Sequence, residues 1–168
     1  MAGIFSFICS CCGKRHEGSP SFGMKAPDPF LEQSTEIRSK GHLGDDLCHY
    51  EDEDGVHYFI RVTLEIPIHG IEDGFLWGVW VSLSKKSYDD YIETYNQSEI
   101  DSVYFGWLCN YLPYYKKTYA LACDVYPQSH KQRPYIILHE VDNDLYDDFK
   151  NGISIEKAQE IAEFCMHG

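Results

Sequence analysis

Tyr58-Phe59-Ile60-Arg61-Val62-Thr63-Leu64-Glu65-Ile66 alternates apolar and polar residues until Pro67 closes it. Successive side chains of a strand point to opposite faces. Ile60, Val62, Leu64 and Ile66 therefore share one face, and Arg61, Thr63 and Glu65 the other. This is the pattern of a strand with one face on a core and the other polar or only partly covered. After a loop over 68–74, Phe75, Trp77, Val79, Val81 and Leu83 repeat the period, so residues 75–83 read as a second strand and the pair as the centre of an antiparallel sheet. Gly78 lies on the opposite face, with Leu76 and Trp80, and marks either a bulge or room for a neighbouring ring.

Working outward, Ser84 or Ser87 caps a helix that carries Tyr88, Tyr91, Ile92 and Tyr95 at helical spacing. After an acidic connection at Glu99 and Asp101 come the run Val103-Tyr104-Phe105-Gly106-Trp107-Leu108 and an aromatic segment, and residues 118–126 and 135–141 read as two more strands. The tyrosines between 111 and 119 read as a core edge with hydroxyls reaching water, or as a cleft lining. A helix over 142–150 ends at Asn151-Gly152, and Ser154 opens a last one with Ile155, Ala158, Ile161, Ala162 and Cys165 inward. Upstream, residues 46–50 read as a strand followed by the acidic turn 51–55. Residues 19–29 read as loop, Asp28-Pro29 as the start of a short helix, and 4–9 as a strand entering a cysteine turn. The expected fold is α+β: one domain over 1–168, with a curved antiparallel sheet of five or six strands, helices on one side and an N-terminal cysteine turn.

Lys plus Arg is 14 and Asp plus Glu is 27, a formal net charge of −13. Such a balance opposes binding to nucleic-acid phosphates or an anionic membrane and favours a basic partner. Residues 1–8 lack a basic n-region, and no stretch approaches the roughly 20 apolar residues of a membrane span. Seven cysteines, an odd number, point to a reducing compartment, and a cytoplasmic location is expected.

Chemistry concentrates in Cys9-Ser10-Cys11-Cys12-Gly13-Lys14-Arg15-His16. The two-residue gap between Cys9 and Cys12 lets two thiolates face one metal ion, and Gly13 suits the tight turn. A tetrahedral zinc site needs further ligands, for which the candidates are His16, Cys48, His49, Cys165 and His167. Cys48 and His167 are preferred, because the helix pattern places Cys165 on the core face. Free thiols and a redox pair remain the alternatives. Walker-type loops, Gly-x-Gly-x-x-Gly, Gly-x-Ser-x-Gly and His-Glu-x-x-His are all absent from the sequence. A catalytic set would have to be assembled in space from residues such as His16, Glu17, Cys48, Arg61, Glu65 and His69.

Cys9-x-x-Cys12-Gly13-x-x-His16-x-Gly18, Asp46-Leu47-Cys48, Phe59-Ile60-Arg61, Leu64-Glu65-Ile66-Pro67, the run from Trp77 to Ser84, Tyr104-Phe105-Gly106-Trp107-Leu108, Arg133-Pro134 and Gly152-Ile153-Ser154 together resemble a bacterial family, domain of unknown function 2199. The likeness runs from about Phe7 to His167. It implies a bacterial cytosolic protein with Cys9, Cys12, His16, Cys48 and His167 at motif positions, and it brings no activity. One departure is Asn143-Asp144-Leu145, where the family pattern tends to read His-Pro-Leu. Size, charge and missing catalytic motifs lead to the expectation of a non-enzymatic acidic binding protein with a zinc site and a protein partner. An immunity-type protein that neutralises a basic toxin is one form of it. The alternative is a metal- or cysteine-dependent enzyme with an aromatic pocket.

Overall fold

The computed structural model describes residues 3–167, so Met1 and Ala2 of the stretch 1–8 lie outside the described residues. Its centre is the expected pair, β6 (Gly55–Ile66) and β7 (Phe75–Leu83), antiparallel from Tyr58↔Leu83 to Ile66↔Phe75. The open curved sheet expected around it is corrected to a closed barrel. β7 pairs with β8 (Tyr104–Leu108), β8 with β9 (Ala122–Tyr126), β9 with β10 (Tyr135–Leu138), and β10 returns to β6, giving five strands without a free edge. Four of the junctions are antiparallel. The closing one is parallel and has a single registered pair, Tyr135↔Thr63.

Closure follows from the alternation. Ile60, Val62 and Leu64 of β6, Trp77, Val79 and Val81 of β7, Leu108, Cys123 and Val125, and Ile136 all enter one buried cluster. Curling the sheet on itself buries that face against itself and removes the edges. Gly106 tightens the wall, since a Cβ there would stand 3.0 Å from the Ser82 carbonyl oxygen.

The two long strands also carry partners beyond the barrel. β5 (Leu47–Asp52) extends the sheet from β6, and β4 (His42–Leu43) from β5. β3 (Ser21–Gly23), in a stretch expected to be loop, lies parallel to β7. Gly78 explains that addition: its missing side chain leaves room for the Gly23 Cα, 3.3 Å from where a Cβ would be, so it admits a strand rather than a ring.

The helices are short and do not keep to one side, which corrects the second part of the expectation. α1 (Asp28–Leu31) contributes Phe30 to a second buried cluster with Ala26, Cys48, Tyr50, Phe59, Trp80 and Cys109 on the outer face of β5–β7. α2 (Thr35–Lys40) packs on β5. α3 (Lys85–Thr94), α4 (Asp144–Asn151) and α5 (Ile155–His167) join the barrel cluster through Tyr88 and Tyr91, Leu145, and Ile161. Ser84 caps α3 as expected, its hydroxyl accepting from the Ser87 amide. Asn143 caps α4: its side chain accepts from the Leu145 amide and donates to the Lys117 carbonyl. Among the described residues no helix is long and apolar enough to cross a membrane.

Candidate metal centre

β1 (Ser6–Ile8) and β2 (Arg15–Glu17) form a separate two-stranded sheet whose turn is the cysteine segment. The Gly13 amide donates to the Cys9 carbonyl and the Cys9 amide to that of Lys14, each at 2.9 Å. Gly13 sits at φ 72°, a conformation that costs glycine little. In this tight turn the Cys11 amide points at the Cys9 sulfur, 3.4 Å away. Register places Phe7 opposite His16, and the two rings lie 5.2 Å apart, which orients the imidazole beside the turn.

Four donor groups converge there. Ligand atoms of Cys9, Cys12, His16 and His167 all lie within 4.8 Å of one another, and Cys12 Sγ is 3.6 Å from His16 Nε2. This donor set can hold a metal ion. Cys9 is buried, His16 half-buried, and Cys12 and His167 exposed. Burial pushes the Cys9 thiol up, but hydrogen bonds from the Cys12 and Cys11 amides and from the Cys12 thiol outweigh it, and the pKa lies below its usual value. A lowered pKa favours the thiolate, the form that binds metal.

His167 reaches the turn because α5 is tied to it one helical turn earlier. The Glu163 carboxylate accepts from the Ser10 amide at 2.8 Å and from the Ser10 hydroxyl at 2.5 Å, and from Gln159 at 2.9 Å. The Ser10 hydroxyl and amide, followed by Gln159, pull the Glu163 pKa down to about 2. Glu163 and His167 are four residues apart and share a helix face. None of Ser10, Gln159 and Glu163 stood out in the sequence. The i,i+4 spacing of an acid before a terminal histidine was the one available sign, and it means nothing until the partner turn is located.

The remaining candidates lie elsewhere. Cys48 is not at the centre: it stands between Leu43 and Phe59 in the strand register, belongs with Phe59 to the second buried cluster, and burial pushes its thiol up to about 12. His49 stacks on His42 at 5.6 Å. Cys165 packs against the barrel cluster, as its helix position suggested, and burial raises it to about 11. The residues considered for a catalytic set are scattered. Arg61 donates to the Met24 carbonyl and lies 4.9 Å above the Trp80 ring, Glu65 accepts from the Gly74 amide, and His69 bonds the Asn151 carbonyl oxygen. In the tyrosine segment, the Tyr115 hydroxyl donates to Asp148 at 2.7 Å within the protein instead of reaching water, whereas Tyr111 and Tyr119 stack at the surface.

The model of a bacterial family described as uncharacterized protein conserved in bacteria, domain of unknown function 2199, matches residues 8–153. The match contains Cys9, Cys12 and His16 and ends before α5, so His167 and Glu163 fall outside it. No curated protein and no solved structure matches the chain.

Proposed function

The chain belongs to this family of uncharacterised bacterial proteins, and within it we propose a non-catalytic binding protein, held closed by a structural zinc ion, whose acidic surface meets a basic protein partner. The observation that carries the zinc assignment is the convergence of two thiols and two imidazoles from opposite ends of the sequence. Two sulfurs and two nitrogens are the donors that zinc takes at structural sites. Tetrahedral zinc bonds place such donors about 3.3–3.8 Å apart, and the Cys12–His16 separation of 3.6 Å falls in that range. Four protein ligands close the coordination sphere, whereas a catalytic zinc keeps one position for water. The enzyme alternative draws no support from Arg61, Glu65 and His69, which are engaged with backbone groups.

A net charge of −13 supports the partner assignment, since it speeds encounter with a basic surface and repels nucleic acid. An immunity-type protein that covers a toxin's active site is the form of this reading that combines small size, negative charge and no chemistry of its own. Metal analysis of untagged protein should find one zinc per chain, and none in Cys12→Ala. Absence of metal, with a Cys12→Ala thermal midpoint equal to wild type, would sink the clamp. Co-purification from the native host should recover a stoichiometric basic protein, and recovery of monomer alone at several salt concentrations would sink the partner.

A further inference from the structure

Far from the cysteine turn, the outer wall of the barrel carries a groove of about 460 Å³. Its origin is the strand register. Phe59 of β6 stands opposite Ser82 of β7, which stands opposite Trp107 of β8, so one small side chain lies between two aromatic ones. Tyr50, buried like Phe59, stacks on it at 5.8 Å, and the His57 ring lies 4.9 Å from Tyr50. Tyr119, 38% exposed, and Trp107, 47% exposed, complete the aromatic lining.

Carboxylates flank the groove: Asp28 begins α1 and Glu32 caps its end, around Pro29, which is one of the lining residues. Asp52 lies 2.9 Å from His57. The Tyr50 phenol is pushed up to about 12, first by burial and then by Asp52. Tyr119 is pushed to about 12 by burial and Cys109, and further by Glu32, Tyr111 and Asp28. Neither Lys nor Arg is among the described lining residues. Aromatic faces carry negative potential, and nearby carboxylates add to it.

We propose that this groove of Tyr50, His57, Phe59, Trp107 and Tyr119 receives an arginine or lysine side chain of a basic protein partner. A guanidinium stacks on the exposed tryptophan while Asp28, Glu32 and Asp52 supply the field that favours a cation over an apolar side chain. The inference rests on the reading of a basic partner and supplies its anchor point.

Trp107 reports on the site directly, because the other two tryptophans, Trp77 and Trp80, are fully buried. Capped glycyl-arginyl-glycine, with lysine and leucine counterparts, is titrated into the full chain and followed by tryptophan fluorescence and by backbone amide shifts. The arginine and lysine peptides should shift the Phe59 and Trp107 amides saturably and the leucine peptide should not. Trp107→Ala and Tyr119→Ala should each weaken binding roughly two- to thirtyfold, with thermal midpoints near wild type because both rings are at the surface. Equal or tighter binding of the leucine peptide overturns the proposal in favour of an apolar anchor. Binding of tetramethylammonium without either cationic peptide overturns it in favour of a small ligand, and unshifted amides overturn it outright. A native partner that still co-purifies with Trp107→Ala leaves the basic-partner reading standing while this site falls. Peptide binding without any native partner does the reverse.

Discussion

Inside the barrel, Ile60, Val62 and Leu64 face Trp77, Val79 and Val81 with no exposure to solvent, whereas at the cysteine turn Cys12 and His167 stand exposed. The barrel's central strands, β6 and β7, are joined along a ladder that runs from Tyr58↔Leu83 to Ile66↔Phe75. The turn meets α5 through Ser10, Gln159 and Glu163, with Phe5, Phe7 and Cys9 as its contribution to the apolar cluster. Apolar burial scales with area, so a hairpin with strands of three residues each gains little from it and has much chain entropy to offset. A metal ion replaces area with a few strong bonds, which is why short, poorly buried elements recruit one.

The harshest way to break this contrast is Trp77→Ala. Emptying the middle of the barrel should cost about 3–5 kcal/mol in denaturant unfolding, equally with and without metal. A loss that depended on zinc would mean that the two regions are one cooperative unit.

Chelation should do less and do it locally. At free zinc about a hundredfold above its Kd, linkage contributes about 2.7 kcal/mol, so stripping the metal should lower global stability by up to that amount. Hydrogen exchange should then rise in β1, β2 and the end of α5 while β6 and β7 stay protected. Uniform deprotection of β6 and β7 would erase the distinction.

The smallest effect belongs to Glu163. Its folded pKa, about 2, lies below the ordinary carboxylate value, so its contribution is present above the ordinary range and disappears as pH falls through about 2. Metal-free wild type should be slightly more stable than Glu163→Gln at neutral pH, with the two curves converging in strong acid. Parallel curves across the whole range would show that the Ser10 contact carries no stability.

The sequence made the strands legible because their alternation is local: 75–83 was bounded correctly, and Ser84 and Gly152 marked helix ends by their own chemistry. Closure was not legible. Nothing in Thr63 or Tyr135 announces that they meet, because parallel pairing at a distance leaves no local pattern. β3 was hidden for the same reason, since it is a strand only where Gly78 makes room for it. At the candidate metal centre, the Cys9–Cys12 gap and nearby His16 were readable, and His167 was one of the two preferred distal ligands. Cys48 was misplaced because a buried cysteine and a ligand cysteine look alike until the fold shows which cluster surrounds them.

The parallel seam also constrains the order in which the chain can organise. Thr63 donates its amide to Pro134, 71 residues away, while β6 and β7 meet across the short loop 67–74. Loop-closure entropy makes the longer contact harder to begin by about 2 kcal/mol, and non-local pairing slows folding. The hairpin should therefore form early and the seam late. In pulse-labelled refolding the Val62 amide should gain protection before that of Thr63, and the reverse order would exclude this sequence of events. On that order, an open sheet that is not the native state of this protein would be the state through which the barrel is reached.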